Sequence, residues 1–310
     1  MAAWLVAAII VTGAAVRVSG SGLGCPDWPT CQRGSIVPTS GWHGWVESIN
    51  RYFTGLVSLA IAVCVLGALV RRPRRRDLTW LSLGLVLGVM AQAILGGITV
   101  KTHVHPASVA AHYLLSIVLL TNALILVDRA SRDDQTVRRW SRSGRLFALV
   151  ISTSALIVLL TGTGVTGSGP HSGDEKARRF SWLPATAAKV HSVAVWVFLL
   201  VIVGVSLTVH RQGRRREFED QISLVLVAIV GQGALGYIQY FAGVPAVLAL
   251  AHVAGSVAVA SAAIRLALHF GTNSGAANLQ ESGTNLPWAS GAESRNHEIE
   301  GARNGPRTKV

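Results

Sequence analysis

Apolar residues in this chain come in long runs separated by short polar breaks. A helix needs about 20 apolar residues to cross a bilayer. Eight runs approach or meet that length, near 2–18, 51–70, 78–99, 107–127, 146–166, 187–209, 221–241 and 246–268. The pattern predicts an all-α membrane protein whose eight transmembrane helices form two pseudo-symmetric four-helix bundles. The reason for two bundles is a repeat. Gln92 precedes His112 by 20 residues, and Gln232 precedes His252 by 20. QAILGGITV starts at Gln92 and QGALGYIQY at Gln232; TGAAVRVSGSG starts at Thr12 and TGTGVTGSG at Thr161. Asn50 falls roughly where His191 falls. Helices one to four thus match five to eight, as in parallel repeats about an axis along the membrane normal. The expected divisions are an N-terminal bundle over 1–130, a linker over 131–145, a C-terminal bundle over 146–269 and a tail over 270–310. The tail is polar and without apolar periodicity, so it is expected to be disordered.

The polar breaks carry the orientation. RRPRRRD, DRASRDDQTVRRWSRSGR and HRQGRRREFED fall on one side if the helices alternate. The positive-inside rule makes that side the cytoplasm, with both termini cytoplasmic and the chain in the cell membrane. Composition agrees: half of the 310 residues are hydrophobic and 14% are charged, against about 25% in soluble domains. The net charge of +13 is accounted for by these loops, so nucleic acid is not expected as a partner; membrane lipid is. The run from Ala2 to Val16 lacks a basic leader and is needed by the repeat, so it reads as a helix and not as a signal peptide. Cys64 sits in an apolar run as inert core. Cys25 and Cys31 bound the segment CPDWPTC on the outward side, where five intervening residues are able to close a disulfide loop. A CxxC metal site needs closer spacing and more ligands.

Ten histidines are present. His43, His103, His105 and His171 are expected in outward loops, and His210, His269 and His297 on the cytoplasmic side or in the tail. Only His112, His191 and His252 lie within apolar runs, one or two turns below the outward helix ends. Ionisable residues inside a membrane are costly and mark metal sites or proton paths. His191 and His252 come from two helices of one bundle, and two facing imidazoles are able to hold a haem iron from both sides. Glycines 231, 233 and 236 would give a flat macrocycle room. Zinc would need a further Asp, Glu or Cys ligand, and none is evident. The first half has His112 but Asn50 opposite, so an iron there keeps an open face. Beside it, Glu47 and Arg51 are spaced i, i+4 on one helical face. That spacing fits a helix-stabilising pair. It also fits a carboxylate that relays protons and a guanidinium that pairs a haem propionate.

Together these motifs resemble the haem A synthase family over roughly residues 8–268. The resemblance is carried by TGAAVRVSGSGLGCPDWPTC from Thr12, ESINR from Glu47, QAILGGITV from Gln92, TGSGPHSGD from Thr166, His191, and the second glutamine with His252. It implies an oxidoreductase that converts a methyl group of haem O to the formyl group of haem A for cytochrome oxidase. It implies haem b on His191 and His252, substrate haem near His112, Glu47 as a functional carboxylate, and a Cys25–Cys31 disulfide. The family pattern has histidine where this chain has Asn50, so His112 is expected as the sole protein ligand of the substrate haem. No nucleotide-binding fingerprint or iron–sulfur cysteine set is present, so electrons go to or come from an outside partner. The enzyme that makes haem O is a second expected partner, and a homo-oligomer is left open. The competing readings are a b-type membrane cytochrome that carries electrons without modifying haem, and a haem carrier without chemistry.

Overall fold

A computed structural model of the chain describes residues 1–32, 34–38, 41–132, 140–175 and 177–271. The expected tail beyond residue 271, and with it His297, lies outside the described residues, as does linker segment 133–139. Eight helices follow in order: α1 Ala2–Val18, α2 Gly41–Val70, α3 Arg76–Lys101, α4 Pro106–Ala130, α5 Arg142–Ser168, α6 Pro184–Arg211, α7 Arg215–Phe241 and α8 Ala246–His269. Seven of them are long and apolar enough to cross a membrane; α1 has 17 residues, at the lower limit for a span. This is a multi-pass membrane protein.

Local chemistry sets the helix starts. Pro106 and Pro184 occupy the first turns of α4 and α6, where a missing N–H costs nothing. The Ser141 hydroxyl accepts from Gly144 N at 2.9 Å and caps α5. Helix α2 begins ten residues before its apolar run, because the stretch from Gly41 continues the helix with exposed Trp42 and Trp45, aromatics suited to a membrane interface. His43 consequently lies in α2 and not in a loop.

Contacts join α1 to α2, α2 to α3, α3 to α4 and α4 back to α1; the same cycle runs through α5, α6, α7 and α8. Between the two cycles, α1 meets α8, α5 meets α4, and α4 meets α8. Each of these contacts has its counterpart four helices on. One apolar core joins Val6, Val57, Leu85 and Leu120, and the other joins Ile151, Phe198, Phe218 and Leu266. The turns repeat as well. Val104 N donates to Thr99 O at 2.9 Å and Val244 N to Gln239 O at 2.8 Å. Both valines hold positive φ, 52° and 59°, a rare conformation for a β-branched residue. The connections gather at one end: Gly22 N donates to Gly173 O at 2.8 Å, and His171 Nε2 lies 2.8 Å from Val244 O.

Candidate functional site

Four polar side chains, Asn50, His112, His191 and His252, sit roughly two turns below that end, one on each even-numbered helix. Each is set by the helix before it, with the same residue types in both halves. The Thr12 hydroxyl donates to Asn50 Oδ1 at 2.8 Å, and the Thr161 hydroxyl lies 3.0 Å from His191 Nδ1. The one hydrogen of Thr161 is directed to Ile157 O at 2.9 Å. The Val158 carbonyl is a second backbone partner of the His191 ring, and with the proton on Nδ1 it is Nε2 that keeps a free lone pair. A histidine whose Nδ1–H is tied down in this way is arranged as a metal ligand is.

The glutamines act on the other pair. Gln92 Nε2 donates to His112 O at 3.1 Å, and Gln232 Nε2 to His252 O at 2.6 Å. The 20-residue spacing is thus a contact between neighbouring helices, repeated. It pins the helix backbone at each histidine and leaves the ring free. His112 Nδ1 and His252 Nδ1 are both buried without a hydrogen-bond partner, as are Gln92 Oε1 and Gln232 Oε1.

Glycines make room for the rings. A Cβ on Gly162 would stand 3.2 Å from His191 Cε1, and one on Gly236 3.0 Å from His252 Cε1. Gly96 stands in the same relation to His112, at 3.6 Å, and Gly13 to Asn50 Nδ2, at 4.0 Å. Of the three glycines expected to cradle a macrocycle, only Gly236 faces an imidazole; Gly231 and Gly233 have open space in front of them.

The His191 and His252 ring centroids are 6.5 Å apart, with planes at 75°. Two metal–nitrogen bonds of about 2 Å each, with the ring radii added, separate trans imidazoles by about 6 Å. The pair is therefore spaced as two imidazoles that would hold one haem iron between them. Among the described residues no group of three or more His, Cys, Asp or Glu is placed to hold a bare metal ion.

Cys25 and Cys31 are joined in a disulfide, and Glu47 and Arg51 hold its loop. One Glu47 oxygen accepts from Cys25 N at 2.8 Å and the other pairs with Arg51. Arg51 donates to Asp27 O at 3.1 Å, Thr30 O at 2.9 Å and Cys25 O at 3.3 Å. Its hydrogens thus go to the loop and to Glu47. The guanidinium also lies 5.0 Å over the Trp28 ring, and Trp28 presses on Gly97 so closely that a Cβ there would collide with it. Trp28 Cη2 is 3.9 Å from where a Gly96 Cβ would stand, beside His112.

Trp28, Thr12 and Thr161 went unrecognised as site residues in the sequence. The repeated Thr-Gly pair was the available signal for the threonines; nothing in the sequence pointed to Trp28. His43, for its part, is bonded to Ser21, with Nδ1 2.9 Å from the hydroxyl. With His103 and His105 it lines a cleft among the connections of about 1130 Å³.

Residues 1–43 and 41–264 match the model of a family described as cytochrome oxidase assembly protein. Three similar proteins are each named heme A synthase. That of Listeria monocytogenes serovar 1/2a is 26% identical over 79% of this chain and 85% of its own length. That of Shewanella oneidensis is 31% identical over 38% of this chain and 40% of its own length. That of Geobacillus kaustophilus is 31% identical over 34% of this chain and 32% of its own length.

Proposed function

We propose, for a chain that belongs to the cytochrome oxidase assembly protein family, that its activity is that of a haem A synthase. It oxidises a methyl group of haem O to a geminal diol, which loses water to give the formyl group of haem A. The observation that carries this reading is an inequality on a repeated scaffold. One half presents two imidazoles at iron-spanning distance; the other presents His112 with an amide at the matching position.

On this reading His191 and His252 hold a resident haem b, which when bound supplies an iron able to exchange single electrons. Thr161 fixes the ring of His191, and Gln232 fixes the helix backbone at His252. Haem O is the substrate of the N-terminal half, with His112 toward its iron and Asn50 on the facing helix. Glu47 and Arg51 act there by seating the disulfide loop and Trp28 over the site, and Glu47 is the carboxylate nearest the chemistry for moving protons. The two halves, divided near the 131–145 linker, are related by a pseudo-two-fold axis. The arginine-rich connections put both termini in the cytoplasm and the disulfide loop outside the cell membrane. An external redox partner exchanges the electrons, and the enzyme that makes haem O supplies the substrate.

The test is expression in cells that make haem O but not haem A. Haem A in the extracted pigment is expected. Haem O alone, from protein that is folded and carries haem b, would overturn the reading and favour an electron-carrying cytochrome.

A further inference from the structure

Arg17 lies in the last turn of α1, and the mechanism above does not use it. The repeat puts Thr166 at its matching position in α5, so this cation belongs to one half only. Its side chain is half-buried and lines a small open cleft of about 300 Å³. Among the described residues it has no hydrogen-bond or ion-pair partner. A half-buried guanidinium without a counter-charge leaves its donors open to an anion, and arginine in particular presents a planar fork that matches a carboxylate.

The cleft's other charged or titratable residues are Arg179, His171, Asp174 and Glu175. Arg179 donates to Pro170 O at 3.1 Å, and His171 is engaged by Val244 O. Neither Asp174 nor Glu175 pairs with Arg17.

Arg17 also sits between the two halves. Its Cγ is 3.4 Å from where a Gly173 Cβ would stand, so the α5–α6 connection covers it. Tyr113 is its neighbour on α4, next in sequence to His112. The Tyr113 hydroxyl lies 2.9 Å from that of Ser256, one turn beyond His252. A carboxylate reaching Arg17 would belong to a molecule lying between or beside the two histidine sites, at the end where the chain turns polar. Haem carries two such carboxylates on flexible arms.

We infer that Arg17 anchors a haem propionate at the junction of the two halves. The inference rests on the reading that both halves take haem. The source is the haem of the His191–His252 site or the haem beside His112, and the two are separable by experiment.

Full-length protein made without a haem supply is titrated with haem b and with haem b dimethyl ester, which keeps the ring and iron but has no carboxylate. Wild type, Arg17→Gln and Arg17→Lys are compared in His112→Ala and His252→Ala backgrounds, each of which leaves one site. Arg17→Gln is expected to weaken free-acid binding about ten- to a hundredfold, the range of a charge-assisted pair, in one background. Arg17→Lys is expected to fall between, and ester binding to stay unchanged. The background that responds identifies the haem. Equal losses for acid and ester, or no loss for either, would overturn the proposal and make Arg17 structural. Wild type that binds neither molecule would overturn the haem A synthase reading itself, a different outcome from either of these.

Discussion

Replacing Thr161 by valine removes one hydroxyl and keeps the shape. The hydroxyl lies 3.0 Å from His191 Nδ1 and 2.9 Å from Ile157 O. The helix does not need it, since the backbone bonds of α5 are complete without side chains. What is lost is one of two partners of the His191 ring, the Val158 carbonyl being the other. An interhelical hydrogen bond inside a membrane contributes about 0.6–1.7 kcal/mol, or roughly three- to twentyfold in an equilibrium. Loss of the partner of a metal-binding histidine costs about ten- to a hundredfold in metal affinity. The two ranges overlap near tenfold, so haem b is expected to dissociate from Thr161→Val about ten times faster than from wild type. Transfer of haem to an excess of apomyoglobin, followed by absorbance, measures that rate. Thr12→Val is the matched control: it removes the same hydroxyl from Asn50 and should leave the haem b rate alone. If Thr161→Val releases haem b at the wild-type rate, or if Thr12→Val speeds release equally, the assignment of His191 as a ligand held by Thr161 is wrong.

Three further outcomes follow from the geometry. Gly236→Val should displace His252, because even a Cβ would stand 3.0 Å from its Cε1, and haem b recovered with purified protein should fall at least fivefold; Gly231→Val, which faces open space, should retain it. Arg51→Ala should free the disulfide loop by removing contacts to four loop carbonyls, seen as iodide quenching of tryptophan fluorescence that is lost on further replacement of Trp28 by Phe, and as lower haem A output with haem b retained. Asn50→His should place a second imidazole where Thr12 and Gly13 already provide the setting of His191, and protein loaded with haem O should gain a second low-spin bis-imidazole signal in its electron paramagnetic resonance spectrum; an unchanged spectrum would show that positions 50 and 191 are not equivalent.

Much of the fold was legible because membrane helices announce themselves by composition. All eight apolar runs became helices, and the repeat of Gln92–His112 in Gln232–His252 became a repeated contact between neighbours. The limits were also physical. Helix α2 starts at Gly41 and not near 51, since Trp42, His43 and Trp45 suit an interface and break the apolar count while keeping the helix. The roles of glycines 231, 233 and 236 depend on which face of α7 meets α8, and small residues in an apolar run carry no mark of their facing. Arg51 pairs with Glu47, as their i, i+4 spacing allows, but its other partners are backbone carbonyls, which have no sequence signature. Trp28 reaches its place through a loop whose course depends on the Cys25–Cys31 link, so no periodicity reports it.

The repeat, followed one residue further, separates the halves more sharply than the missing imidazole does. Gly97 of α3 corresponds to Tyr237 of α7, and Arg51 of α2 corresponds to Ser192 of α6. In the second half these two positions bond to each other: the Ser192 hydroxyl is 2.9 Å from the Tyr237 hydroxyl, closing the α6–α7 seam beside His191 with side chains of the helices themselves. In the first half the tyrosine is a glycine, and Trp28 lies in the space with Arg51 stacked upon it. The seam beside Asn50 is therefore covered at this level by a loop, tethered at Cys25–Cys31, whose Cys25 N–H donates to Glu47 and whose carbonyls accept from Arg51. A resident cofactor is best served by a fixed wall, which lowers its escape rate. A substrate that enters, reacts and leaves as a larger-polarity product needs a wall that opens without unpacking the bundle. The half with the incomplete ligand set is also the half whose seam is covered by a loop, and on the proposed reading it is the half that takes the substrate haem.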